Sequence, residues 1–195
     1  MVYKLCKTEE SAQRQRQMEQ GLLDMMQTVR YEDITVSDLC QRMNIPRKSF
    51  YRYFSGKDGA LHGLIDHTMM EYEAFSNAQQ KGKKRNLQLE LETFFQFWVV
   101  HRPLLDALER SGLSGAMIER AVSYSVSDGV FPARFLPNDV MEVRRHVVMF
   151  AVCGMLSMMV MWHHRDYRES VSEMASITKR LLNQPLFPVT EELIF

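Results

Sequence analysis

The chain has 195 residues, 46% hydrophobic and 25% charged, with 9 Gly and 6 Pro against 15 Met, a balance that allows a buried core, favours helices and excludes a disordered chain or a turn-rich sandwich. Its 24 basic and 24 acidic side chains cancel, so gross charge points to neither nucleic acid nor membrane, and any such preference must arise locally. Cys6, Cys40 and Cys153 are far apart with no CxxC, and the N-terminal stretch turns polar early, which fits free thiols, no signal peptide and a cytoplasmic setting.

Taken in chain order, Thr8 is placed to cap a first helix, with Glu9 and Glu10 favourable in its opening turn. Met18, Leu22, Met25, Met26 and Val29 keep helical spacing along it. The segment Arg30–Thr35 breaks that period. Thr35 and Asp38 then make a T-x-x-D capping box, and Val36, Leu39, Cys40 and Met43 recur at one helical face. This helix must end near Asn44, because Pro46 cannot occupy a helix interior. A second short helix is predicted from Pro46 to Tyr53, and a long one from Lys57 to about Asn77 with Leu61, Leu64, Ile65, Tyr72 and Phe75 on its apolar stripe.

The polar run Gln79–Asn86 separates this part from a more apolar remainder. Leu87, Leu91, Phe94, Phe95 and Trp98 mark one face of the next helix, and Leu89, Phe97 and Val100 another, as expected inside a bundle. Pro103 opens a short helix closed by Ser111-Gly112, and a further helix spans about Ser114–Ser125. A long helix is expected over Asp139–His164. Its uncharged run Val147–Trp162 is shorter than the roughly 20 residues a membrane span needs and is flanked by arginines, so a buried helix is expected. A last helix begins at the box Ser170-x-x-Glu173 and buries Val171, Met174, Thr178, Leu181 and Leu182. The fold class is all-α, with about nine helices.

Function is concentrated between Gln41 and Lys57, where Arg42, Arg47, Lys48, Arg52 and Lys57 stand without an acid. Two short helices joined by a tight turn form a helix-turn-helix pattern. At about 100° per residue, Phe50 and Phe54 face inward with Pro46, while Arg47 with Tyr51 and Lys48 with Arg52 face outward. Tyr53 falls at the margin. Cationic side chains in the first turn of a second helix suit guanine O6 and N7 in a major groove. The hydroxyls of Ser49, Tyr51 and Tyr53 suit phosphates, and Lys57 adds charge at a helix start. Exposed rings for stacking single strands are disfavoured, because the spacing sends the two phenylalanines inward.

The stretch Ile34–Leu61, "ITVSDLCQRMNIPRKSFYRYFSGKDGAL", resembles the DNA-binding signature of the tetracycline-repressor (TetR) family of bacterial regulators. The correspondence rests on Thr35, Val36, Leu39, Tyr51, Phe54, Lys57 and Asp58. The resemblance implies DNA contacts by Thr35, Arg47, Lys48, Ser49, Tyr51, Arg52, Tyr53 and Lys57, with phosphates met by Tyr51, Tyr53 and Lys57. It implies a helix-turn-helix domain over residues 1–56 and a ligand-sensing and dimerisation domain over 57–195, joined through the helix 57–78. Asn44 and Pro46 depart from the family turn; Asn tolerates a left-handed backbone and Pro suits a helix start.

By the same resemblance the last two helices pair with their copies in a homodimer, the DNA partner is a palindromic operator, and an unidentified small molecule releases it. Phe94, Trp98, Met117, Tyr124, Met155, Met158, Met159 and Trp162 are candidates for an adaptable apolar pocket, against the plainer alternative of core and dimer seam. His146, Cys153 and His163-His164 lack a matching carboxylate and adjacent histidines diverge on a helix, so no metal site is expected. With no GxSxG, P-loop, GxGxxG or HExxH, neither an enzyme nor a cofactor is expected. A co-regulator acting through protein contacts on the same scaffold is the competing reading. The tail 184–195 has no assigned role.

Overall fold

A computed structural model of the protein describes residues 3–82, 84, 86–128 and 144–183. Among them are nine α-helices: α1 Glu9–Met26, α2 Val36–Arg42, α3 Arg47–Phe50, α4 Lys57–Gln80, α5 Leu87–Val100, α6 Arg102–Arg110, α7 Ser114–Asp128, α8 Arg144–His164 and α9 Val171–Asn183. A 3₁₀ turn covers Tyr31–Asp33, and the one β-type pairing among the described residues is an isolated bridge between Tyr3 and Phe54. The expected helix start at Asp139 and the tail 184–195 lie outside the described residues.

The capping chemistry read from the sequence is present. Thr8 accepts from the Ser11 N–H, and Thr35 and Asp38 exchange both bonds of the capping box. Ser170 and Glu173 do the same at α9. These partners satisfy N–H groups that a helix start leaves without an intrahelical acceptor.

The chain forms two compact units. One takes in the described residues of Met1–Glu71 and His101–Pro132; the other takes in those of Tyr72–Val100 and Ala133–Phe195. The division falls within α4 rather than at the polar run Gln79–Asn86.

In the first unit, Leu22, Met26, Ile34, Leu39, Phe50, Phe54 and Ile65 are fully buried. Burying an aromatic of that size is worth about 3–5 kcal/mol against alanine. Gly63 lets α4 lie against α1: a Cβ there would stand 2.6 Å from Glu19 Oε1 and 3.3 Å from Phe54. Glu19 is itself buried and bonded to His67 Nδ1 at 2.8 Å. Burial pushes its carboxyl above the usual range, and His67 offsets part of that rise. Arg120 on α7 grips Asp66 on α4 through two nitrogens, and Gln27 at the end of α1 donates to Pro103 O at 2.9 Å.

The second unit is aromatic. Phe94, Phe95, Phe97 and Trp98 of α5 are buried, and Phe95 meets Trp162 of α8 edge-on at 5.4 Å, an orientation that ring quadrupoles favour. Trp162 Nε1 donates to Glu169 O at 2.9 Å. Three expectations change here. Val100 is 70% exposed, and Leu181 and Leu182, expected inside, are also exposed. α8 is buried on one face only: Ala151, Val152, Leu156, Met159 and Trp162 point inward, whereas Phe150 and Met161 are open to solvent. Uncharged runs of this length do not reveal which side a partner helix covers.

Candidate nucleic-acid interface

The residues between α2 and α3 make a tight left-handed turn. Asn44 takes φ 52°, a conformation that asparagine adopts more readily than most residues. Ile45 N–H closes the end of α2 by donating to Cys40 O at 2.9 Å. Pro46 stands at the N-cap with extended backbone and no side-chain cap bond. The Ser49 N–H bonds to its carbonyl at 2.8 Å. Pro46 is also exposed rather than turned inward with Phe50, because a cap residue lies outside the helical cylinder.

α3 is shorter than the predicted Pro46–Tyr53. Regular helix ends at Phe50, and the chain tightens through bonds from Arg52 N–H to Ser49 O and from Tyr53 N–H to Phe50 O. Phe50 and Phe54 still anchor it, both fully buried with ring centroids 5.2 Å apart. Outward, Arg47, Lys48 and Arg52 are exposed, Tyr51 is 48% exposed, and Ser49 is half-buried. The Arg47 guanidinium sits 5.9 Å from the Tyr51 ring centroid, so the two form the outward pair that their spacing implies. The result is one cationic and hydroxylated surface fixed on a two-phenylalanine anchor.

Three candidate residues have other work. Thr35 is exposed, but its hydroxyl is engaged with Asp38 as the α2 cap. The Tyr53 ring is 8% exposed; the turn after α3 rotates it off the helical margin and under the N-terminal segment, where Lys4 N–H donates to Tyr53 O at 2.8 Å.

Lys57 changes role most. Its ammonium donates to Tyr31 O at 2.6 Å, Glu32 O at 3.0 Å and Ile34 O at 2.7 Å. An ammonium has three donors, and all three are taken, leaving no ammonium N–H for the phosphate the sequence suggested. Next to it, Asp58 accepts from the Tyr31 hydroxyl. Burial first, and then this carboxylate, push the Tyr31 phenol upward and keep it a donor. The pair Lys57-Asp58 thus clamps the 3₁₀ turn that delivers the chain into α2. Sequence spacing carries no sign of this, because carbonyl acceptors leave no residue-type signature.

The eight pocket candidates divide between the two units. Met117 and Tyr124 belong to the first, and Phe94, Trp98, Met155, Met158, Met159 and Trp162 to the second. Phe94, Trp98, Met117, Met159 and Trp162 are buried, and Tyr124, Met155 and Met158 are half-buried. A cleft of about 360 Å³ is lined instead by Gln88, Ser176, Lys179, Arg180 and Asn183, none of them a candidate. Among the described residues no three His, Cys, Asp or Glu side chains gather to hold a metal, and no helix is long and apolar enough to cross a membrane. The cysteines are free.

On α8, Phe150, Gly154, Ser157 and Met161 are all exposed at spacings of four, three and four residues. Phe150 is 67% and Met161 62% exposed. On α9, Ile177 and Leu181, one turn apart, are exposed as well.

No protein-family profile and no curated protein matches the chain. Solved structures do. The fatty acid degradation regulator FadR from Bacillus halodurans aligns at 13% identity and TM-score 0.59, covering 93% of this chain and 98% of that one. The dihydroxyacetone kinase operon activator DhaS aligns at 17% identity and TM-score 0.55, covering 86% of this chain and 93% of that one. The TetR family repressor AlkX from Dietzia sp. aligns at 13% identity and TM-score 0.54, covering 86% of this chain and 92% of that one. The chain has a TetR-like fold. Its helix-turn-helix lies at the N-terminal end of that fold and a helical remainder follows, as the resemblance in Ile34–Leu61 implied.

Proposed function

We propose that the protein is a dimeric, sequence-specific DNA-binding transcriptional regulator, a repressor whose operator affinity falls when a small molecule binds. The observation that carries the reading is the outward surface of α3. Arg47, Lys48, Tyr51 and Arg52 are exposed together along the four-residue helix and the turn that follows it, held by Phe50 and Phe54. Arg47 and Lys48, in the first turn, are suited to guanine edges in a major groove, and Tyr51 and Arg52 to phosphates. The similar folds of FadR, DhaS and AlkX, all described as regulators, support the same assignment.

Exposed apolar residues of the second unit support dimerisation. A monomer gains nothing by exposing Phe150 and Met161 in one stripe with small residues between them, whereas a second copy of α8 would bury them at close approach. The division of labour between a DNA-binding part near residues 1–56 and a sensing and dimerising part beyond it is included in this proposal. A small molecule releases DNA only if it binds one spacing of the two α3 helices better than the other. Phe94, Trp98, Met155, Met158, Met159 and Trp162, together in one unit, are the side chains we assign to that ligand, and the flexibility of methionine suits a core that must open around it.

The test is the salt dependence of duplex binding. Affinity should fall steeply between about 50 and 200 mM salt, with a slope set by the number of phosphates neutralised. A flat dependence, or no binding at low salt, refutes the reading and favours a co-regulator that acts through protein contacts.

A further inference from the structure

The segment ahead of α1 is tied to the residues that follow α3. Tyr3 bridges Phe54 in antiparallel fashion, and the Lys4 N–H donates to Tyr53 O at 2.8 Å. The Lys4 carbonyl accepts from Gln15 Nε2 at 3.1 Å, and buried Gln15 also accepts from Cys6 Sγ at 2.9 Å. Farther back, the Tyr3 hydroxyl donates to Asp66, the carboxylate that Arg120 holds. Both backbone groups of Lys4 are therefore fixed, while its side chain is exposed and carries its ammonium 6.0 Å from the Tyr53 ring centroid. In the first turn of α1, Glu10 is turned to Arg14 at 2.6 Å.

From this geometry we infer that the N-terminal segment Tyr3–Lys7 is part of the DNA interface and that Lys4 meets a backbone phosphate of the duplex at the edge where Tyr53 was expected to do so. The inference rests on the DNA-binding reading above and extends it to a second chain segment. The backbone bonds pre-order the segment, so placing this ammonium costs little additional entropy on binding. Arg52, which precedes Tyr53 in the chain, is exposed as well, a second cation for the phosphates of the same strand. The contact carries no base information, because phosphates are alike along the strand.

The experiment uses the full chain, a random-sequence duplex labelled at one end, and binding titrations across a salt series. Lys4→Gln is expected to lower the salt slope by about 0.9, one phosphate's share, and to weaken binding about eightfold near 0.1 M salt. Its melting temperature should match the wild type, since the backbone bonds remain. Lys4→Arg should restore both slope and affinity. A Lys4→Gln slope equal to that of the wild type overturns the inference while leaving the DNA-binding reading intact. So does a loss of affinity that Lys4→Arg fails to restore, or one accompanied by a matching fall in melting temperature. If the wild-type chain itself binds the duplex without salt dependence, the DNA-binding reading fails and this inference fails with it.

Discussion

The Lys57 ammonium lies 2.6 Å from the carbonyl oxygen of Tyr31 and 4.5 Å from the centroid of that residue's ring. One side chain thus satisfies a carbonyl and covers the face of the same residue, a cation–π placement added to charge-assisted hydrogen bonds. The 3₁₀ turn ahead of α2 has few hydrogen bonds of its own. Lys57 and Asp58, at the start of α4, supply what it lacks, and so fix where α2 and α3 emerge.

Lys57→Met is therefore expected to destabilise the fold by about 1–3 kcal/mol, the cost of leaving carbonyls without their charged donor. The slope of log affinity against log salt on duplex DNA should stay at the wild-type value. Thermal melting and salt titration of the same variant check both halves. A slope reduced by about 0.9 would return Lys57 to the phosphate contacts.

Arg47→Ala or Lys48→Ala should relax base preference at one position per half-site, by about 1–3 kcal/mol of discrimination. Tyr51→Ala should weaken binding to all sequences alike. Competition titrations with single-base variants of a selected site distinguish the patterns. Uniform weakening by all three substitutions would mean that α3 reads no bases through these side chains.

Gly63→Ala places a methyl where Glu19 and Phe54 already press. The Glu19 carboxylate is held by His67 and the Phe54 ring is buried, so neither has room to retreat. Overpacking of this kind costs about 1–3 kcal/mol, measurable by denaturant unfolding. Gly154→Ala should cost far less in the monomer, since a Cβ there meets nothing within 4 Å.

Phe150→Glu should leave the monomer folded, because the side chain is already 67% exposed, and should shift the sedimenting species from dimer to monomer. Cooperative binding to a two-fold site should be lost with it. A variant that remains dimeric places the interface elsewhere.

The two capping boxes make the helix starts sensitive to acid. The Thr35 hydroxyl, followed by its backbone N–H, holds the Asp38 carboxyl below its usual value. The Ser170 backbone N–H, followed by its hydroxyl, does the same for Glu173. A carboxyl whose folded pKa is depressed stabilises the fold above the unfolded pKa, about 4, and that contribution is lost as pH falls through the folded value. Melting temperature should thus decline below about pH 4. Asp38→Asn should flatten the part of that decline due to α2.

Local chemistry was legible in the sequence wherever cause and effect lie within a few residues. Thr35 with Asp38, Ser170 with Glu173, the left-handed Asn44 and the Phe50–Phe54 anchor all depend on spacing within one or two turns, and each occurs as read. Roles set by distant partners were hidden. Lys57 reaches back to Tyr31 and Ile34, Tyr3 reaches forward to Asp66, and Lys4 pairs with Tyr53. Nothing in their residue types separates these from free surface groups. The exposed Leu181 and Phe150 illustrate a related blindness: periodicity identifies an apolar face without saying whether its own chain or a second copy covers it.

The central claim is that the outward face of α3 reads a two-fold DNA site. Selection of genomic fragments by the purified full chain, followed by sequencing, tests it most directly. The account predicts enrichment of one palindromic sequence whose half-sites lie about 34 Å apart or a multiple of that, and loss of the enrichment in Arg47→Ala/Lys48→Ala. No enrichment at low salt, with the chain folded and dimeric, would contradict it.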